Sequence, residues 1–301
     1  MHYALGAVVG KVPGRLPEAI SEYLAALRAK PDYLEAHSNL ATALLEIPGH
    51  LPEAIAEYQA TLRILPATAA ARYNLAAVHN NLGFALSKDP DRVPEAIPHY
   101  HAALKIKPDF FEAHTNLADA LSGFPDRVPE AITEYQAALR IRPDSAEAHK
   151  KLAASLAGTP GHLQEAISEY QASLRIDPTS LEAHNGIAAA LLQMPGHLPE
   201  AIAEYQAALR VRSDSAEVHN NLAVALSKDP GRVPEAISHY QAALAIRPDF
   251  IEAHYNLAFL LSNTPDRRPE AIAHLEAVLR TRPDPSARQL LQRLRASSAS
   301  K

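Results

Sequence analysis

Eight copies of a four-residue landmark, P-E-A-I (Q-E-A-I once, at Gln164), punctuate the chain. Its alanine falls at Ala19, Ala54, Ala96, Ala131, Ala166, Ala201, Ala236 and Ala271. Every step is 35 residues except that from Ala54 to Ala96, which is 42. Self-similarity at such a period marks an array of one supersecondary unit, whose copies bury their apolar faces against one another. The 301 residues would suffice for a single globular domain, but a repeat array needs no single large core.

Each unit reads as two helices. In the stretch from Pro195 to Thr264, the first half places Val218, Leu222, Ala225 and Leu226 at steps of four, three and one. The second half places Ala236, Ile237, Tyr240, Ala243 and Leu244 likewise. That is periodicity near 3.6, on a stripe wide enough to face two neighbours, and strand-like alternation is absent. A Pro-Gly or Pro-Asp pair separates the halves, and another Pro-Asp usually follows the second, as at Pro248-Asp249. Proline stops one helix, and Asp or Gly is expected to cap the next. The proline of V-P-E-A-I falls in a first turn, where a missing N–H costs little.

These offsets resemble the tetratricopeptide repeat over essentially the whole chain. From Asp144 to Pro178, His149 stands in the family's usual Trp place. Leu152, Ala153 and Leu156 follow, then Ala166, Tyr170, Ser173 and the closing Pro178. The Ser173 place is alanine at Ala26, Ala103, Ala138, Ala208 and Ala243. Two departures run through the array: one extra residue per unit, placed most simply in the turn, and His throughout the Trp place. The resemblance implies an all-α, right-handed superhelical solenoid of helix-turn-helix repeats. The expected layout is eight repeats over residues 1–284, then a capping helix and frayed tail over 285–301.

The ends and the irregular step fit this register. His2, Leu5, Gly6 and Val9 occupy the expected places of a first helix lacking its lead-in, so the array is expected to be entered mid-repeat. ALGAVVG lacks a basic flank and does not read as a signal peptide. In the 42-residue step, Arg72–Ala76 echoes His79–Gly83, which predicts a heptad insertion near 67–78 and one longer helix from about Ala67 to Leu86. It reads either as a tolerated partial duplication or as a protruding ledge. Near the C-terminus, Asp284 is placed to cap a helix with Ala287, Leu290, Leu291 and Leu294 on one stripe.

Charge and composition narrow the function. A formal charge of −5 argues against a general nucleic-acid binder. No cysteine is present, so there is no disulfide framework or thiol chemistry. No run approaches the length of a membrane span. There is no P-loop, nucleotide fingerprint, G-x-S-x-G or H-E-x-x-H, so no enzymatic activity, cofactor or metal is expected. His2, His37, His79, His114, His149, His184, His219 and His254 recur one per repeat, too far apart to converge on an ion, and read as packing residues. His99, His101, His239 and His274 fall on second helices and look scattered. Tyr23, Tyr58, Tyr100, Tyr135, Tyr170, Tyr205 and Tyr240 read as core.

Two residues after the recurring His stand Asn39, Asn81, Asn116, Asn221 and Asn256, with Lys151 and Gly186 breaking the series. Ser38, Asn80, Thr115, Lys150, Asn185, Asn220 and Tyr255 hold the adjacent places. In the tetratricopeptide family the first helices line a concave groove. The sequence is similar there to the array of the O-linked N-acetylglucosamine transferase, whose asparagine ladder holds an extended peptide. An amide offers both donor and acceptor, so it can pair with any peptide unit. The alternative is that Asn simply suits this place in the consensus. Phe84 and Phe259, three residues beyond their asparagines, would add apolar contact. A clamp for an acidic peptide end fits less well, because inner Lys and Arg are few. The series Glu35, Glu112, Glu147, Glu182, Glu217 and Glu252 runs beside them, either facing inward or serving the helix dipole.

Together these observations predict a non-catalytic, cytoplasmic scaffold for a protein or peptide partner, with no nucleic acid and no membrane insertion. The alternative is the substrate-recruiting region of a larger enzyme such as a glycosyltransferase.

Overall fold

The computed structural model describes the backbone of residues 1–64 and 69–299, and their side chains except at 69–74, 265 and 297–299. Every regular element among the described residues is helical. The chain divides into two compact units, Met1–Ala148 and His149–Lys301.

The first unit holds α1 (His2–Val9), α2 (Leu16–Ala29), α3 (Leu34–Leu45), α4 (Leu51–Ile64), α5 (Ala69–Ser87), α6 (Val93–Ile106), α7 (Phe111–Ser122) and α8 (Val128–Ile141). Helix α9 (Ala146–Ala157) carries the point of division. The second unit continues with α10 (Leu163–Ile176), α11 (Leu181–Leu192), α12 (Leu198–Val211), α13 (Ala216–Leu226), α14 (Val233–Ile246), α15 (Ile251–Ser262), α16 (Arg268–Thr281) and α17 (Pro285–Ala299). From α1 to α16, odd-numbered helices are the first, and even-numbered the second, of each repeat, and α17 follows the last. From α1 to α8, and again from α10 to α17, each helix packs on the next in sequence, and first helices of successive repeats also touch, as α3 and α5 or α13 and α15 do.

Small residues set the spacing. Ala54, Ala96, Ala201 and Ala236 of the landmark are fully buried, as are Ala118, Ala223 and Ala258 on the first helices. With only a methyl group at each crossing, helix axes can approach to about 8–10 Å. Leucines and tyrosines fill what remains: Leu82, Leu117, Leu222 and Leu257 are inaccessible, and Tyr58, Tyr100 and Tyr205 nearly so. Each such side chain contributes roughly 1.5–3 kcal/mol of burial. Tyrosine hydroxyls find partners at the rim, Tyr58 with Thr42 Oγ1 at 2.9 Å and Tyr100 with Ser87 Oγ at 3.3 Å. Burial pushes Tyr100, Tyr205 and Tyr240 up to about 12, so they remain protonated donors.

The turns inside repeats take two forms. Gly14, Gly49, Gly161 and Gly196 sit at φ between +80° and +88°, a region that only glycine enters without strain. Pro90–Arg92, Pro125–Arg127, Pro230–Arg232 and Pro265–Arg267 form 3-10 turns instead. Gly231 follows the second form because Asp229 Oδ1 accepts its N–H at 2.9 Å. Contrary to the expectation for such pairs, Asp32, Asp109, Asp249, Gly161 and Gly196 do not cap the helices that follow them. They lie one residue upstream of the cap position, which falls on Tyr33, Phe110, Phe250, His162 or His197, all without a side-chain cap bond. Ser180, Ser215 and Asp284 do cap their helices.

The irregular step contains α5, whose 19 residues exceed the 11 of α13 and the 12 of α7. Its expected start at Ala67 lies outside the described residues, as do Lys301 and Ser300 of the expected frayed tail. No helix among the described residues is long and apolar enough to cross a membrane.

Candidate functional site

Two polar series start from the first helices: amides that bond from repeat to repeat, and histidines that each pair with the second helix of their own repeat. Helical periodicity explains the first. Asn116 projects from α7 one repeat after Asn80 and Asn81 on α5, so successive first helices bring their amides within reach. In the first unit, Asn116 Nδ2 donates to Asn80 Oδ1 at 3.0 Å, and Asn80 Nδ2 donates to Asn81 Oδ1 at 3.3 Å. Asn39 Nδ2 donates to the Tyr3 hydroxyl at 3.4 Å. In the second unit, Asn256 Nδ2 donates to Asn220 Oδ1 at 3.2 Å. Asn220 Nδ2 donates to Asn221 Oδ1 at 3.3 Å, and Asn221 Nδ2 to Asn185 Oδ1 at 3.1 Å. One amide chain therefore crosses α15, α13 and α11.

The expected ladder residues are half-buried, and these bonds occupy only part of their capacity. An amide has two N–H groups and two lone pairs. Asn221 uses one of each in the chain, and Asn256 uses one N–H. Asn80 and Asn220, which link the ladder members, are buried and were not among the expected site residues. Their signal in the sequence is the doubled asparagine at 80–81 and 220–221. Asn39 lines an open cleft of about 470 Å³ with Tyr3, Tyr23, Thr42 and Glu46. Asn185 lines one of about 450 Å³ with Glu182, Arg212, Glu217 and Arg247. Phe84 and Phe259 are 37% and 57% exposed, and Lys88 Nζ stands 4.3 Å from the Phe84 ring centre.

The break at Gly186 has a packing cause. A Cβ there would lie 2.3 Å from Cζ of Tyr170, so the ring occupies the place an asparagine would need. The glutamate series is not a bare acidic surface either. Glu112 pairs with Arg142 at 2.9 Å and Glu217 with Arg247 at 3.4 Å, each arginine following the second helix of the same repeat. Both pairs are exposed and worth little individually.

Each recurring histidine meets the residue twenty positions later, on the second helix of its own repeat. In five repeats that residue is a carboxylate: His2 with Glu22, His37 with Glu57, His114 with Glu134, His149 with Glu169 and His184 with Glu204. In three it is another imidazole. The Nδ1···Nδ1 distances are 3.0 Å for His79 and His99, 2.9 Å for His219 and His239, and 2.8 Å for His254 and His274. His99, His239 and His274 are therefore not scattered; they replace the glutamate at a fixed register. Nε2 of His37, His114, His219 and His254 lies 2.8–3.0 Å from a backbone carbonyl six residues earlier, to which it donates. Burial lowers the affinity of His114 for a proton, but Glu134 and the Pro108 carbonyl outweigh this and its pKa is raised. In the imidazole pairs, burial and the neighbouring ring lower His79, His239 and His274, and burial lowers His99. No group of three or more His, Cys, Asp or Glu among the described residues could hold a metal ion.

Models of the tetratricopeptide repeat match residues 14–69, 127–158, 196–229 and 229–294. A search of curated proteins returns no match. Among solved structures, the C-terminal part of a TPR repeat-containing protein from Cytophaga hutchinsonii aligns with a TM-score of 0.65 at 16% identity, covering 83% of this chain and 97% of that one. MamA protein aligns at 0.52 and 19%, over 58% and 93%. YrrB, described as a TPR protein with an unusual peptide-binding site, aligns at 0.50 and 20%, over 59% and 89%. At these identities the likeness is one of fold.

Proposed function

The chain belongs to the tetratricopeptide repeat family, and on that premise we propose that it is a non-catalytic scaffold holding extended polypeptide against its first helices. The observation that carries this reading is the pair of amide networks. Each presents partly committed asparagines in a row, with an exposed phenylalanine one helical turn further on. Asn39, Asn81, Asn116 and Phe84 would serve one segment, and Asn221, Asn256 and Phe259 another. The interruption at Lys151 and Gly186 separates the two. An uncommitted N–H and carbonyl lone pair can complete a peptide unit whatever its side chain, so affinity comes with modest sequence preference. The phenylalanines would add the apolar contact that orients it.

The test is to select peptides from a displayed library on the full-length chain, then titrate wild type and Asn221→Ala/Asn256→Ala. Each amide–backbone bond contributes about 0.5–1.5 kcal/mol net, so the double variant should bind second-unit peptides roughly five-fold to a hundred-fold more weakly. Equal affinities, with helical circular dichroism retained, would overturn the reading.

A further inference from the structure

We propose that the imidazole pairs His79/His99, His219/His239 and His254/His274 make peptide holding acid-sensitive: acid drives apart the two helices of the repeats that carry Asn81, Asn221 and Asn256, and the peptide is released. This deepens the peptide-holding reading and rests on it. The pairs sit on the amide row itself. His79 directly precedes Asn80 and Asn81, His219 directly precedes Asn220 and Asn221, and His254 stands two residues before Asn256. Phe84 and Phe259 lie on two of the same helices, α5 and α15.

The geometry carries this. The Nδ1 atoms stand 3.0, 2.9 and 2.8 Å apart and the ring centres 5.3, 5.2 and 5.0 Å, so in each pair the two nitrogens face head on. That contact is a bond only while one Nδ1 holds a proton and the other a lone pair. His219 Nε2 donates to the Ser213 carbonyl at 3.0 Å, and His254 Nε2 to that of Pro248 at 2.9 Å. The proton of each neutral first-helix ring is therefore on Nε2, its Nδ1 accepts, and His239 or His274 donates. One added proton can go to Nε2 of the second-helix ring and leave the bond intact. A second has only the accepting Nδ1 to take. Two N–H groups and two positive charges then face each other across the seam between the helices.

Neighbouring charges do little to offset this. Glu95, Glu235 and Glu270, four residues before the second-helix rings, are each held by an arginine of the preceding turn, Arg92, Arg232 and Arg267, at 2.7–2.8 Å. From the facing helix, the titratable group acting on His79, His239 and His274 is the partner imidazole, and among the described residues no charge of an adjacent repeat acts on these rings or on His99. The closed pair thus binds protons less readily than two free imidazoles, which take them near pH 6.5. Its contribution to stability is complete above about that value and is lost as pH falls below it. In the five glutamate repeats the same proton makes an imidazolium–carboxylate pair, so those repeats stay closed.

The test is amide hydrogen exchange and peptide titration on the full-length chain at pH 7.5 and pH 5.5. Wild type is compared with His99→Glu/His239→Glu/His274→Glu, which installs the carboxylate of the other five repeats. Each proton withheld one pH unit below 6.5 is worth about a factor of ten. Protection of α13 to α16 in wild type, corrected for intrinsic exchange, should therefore fall about ten-fold or more at pH 5.5, while α3 and α7 keep theirs. A library-selected, histidine-free peptide should bind the second unit about ten-fold more weakly. The variant should show neither loss. If it lacks helical circular dichroism at pH 7.5, His274→Glu alone should keep α15 and α16 protected. Exchange needs no ligand, so a chain that loses protection but binds no peptide at either pH faults the peptide-holding reading and not the acid response. Unchanged wild-type protection, a loss shared by the variants, or equal peptide affinity at both pH values would overturn the proposal.

Discussion

A single glycine shows how tightly the packing constrains the amide series. Tyr170 covers the place where Gly186 lacks a Cβ. Gly186→Asn would complete the series on paper, yet it should force the tyrosine ring aside and destabilise the second unit by about 1–3 kcal/mol. Chemical denaturation checks this; an unchanged midpoint would show that the ring moves freely. Asn220, at 7% exposure, makes a second case. Asn220→Ala removes both of its bonds, to Asn221 and from Asn256, and should cost about 1–2 kcal/mol. This bond network is also why binding by ladder variants must be compared where every variant is folded.

His114 adds a pH dependence at the same scale. Its pKa is raised in the folded chain, chiefly against the opposing effect of burial, by Glu134 and the Pro108 carbonyl, with Arg140 opposing. A raised folded value means that its stabilising contribution is complete below the unfolded value of about 6.5. It fades as pH rises through the folded value. Glu134→Gln should remove that contribution, so the stability gap between variant and wild type should narrow from pH 6 to pH 8. A gap that widens with pH would contradict the pairing.

Among the elements, the period exposed nearly everything regular. Alanine, leucine and tyrosine recur at helical spacing, so the helices, their order and their buried faces follow from 3.6-residue periodicity. The long α5 follows from the echo between Arg72–Ala76 and His79–Gly83. Turns were less legible. Pro-Gly forms both kinds, because at Gly231 the Asp229 side chain decides the backbone. The site was half legible. Asparagine periodicity pointed to the first helices, but a bond from Asn116 to Asn80 depends on where neighbouring repeats sit. The imidazole pairs were present in the sequence as a twenty-residue offset. Alignment between repeats hides them, because the offset runs within a repeat and its second member is Glu in five of the eight.

Across the whole chain, stability is expected to be local, since each repeat contacts mainly its sequence neighbours. Helix α1 has eight residues, no side-chain cap bond, and Leu5 and Val8 exposed. Amide hydrogen exchange should therefore show α1 opening well before α13 or α15; equal protection throughout would contradict this. The central claim, that side-chain amides on the first helices hold peptide backbone, is tested most directly by nuclear magnetic resonance of the asparagine side chains. On titration with a library-selected peptide, the NH₂ signals of Asn221 and Asn256, or those of Asn39, Asn81 and Asn116, should shift in step with binding. Saturable binding that leaves all five unmoved would contradict the account.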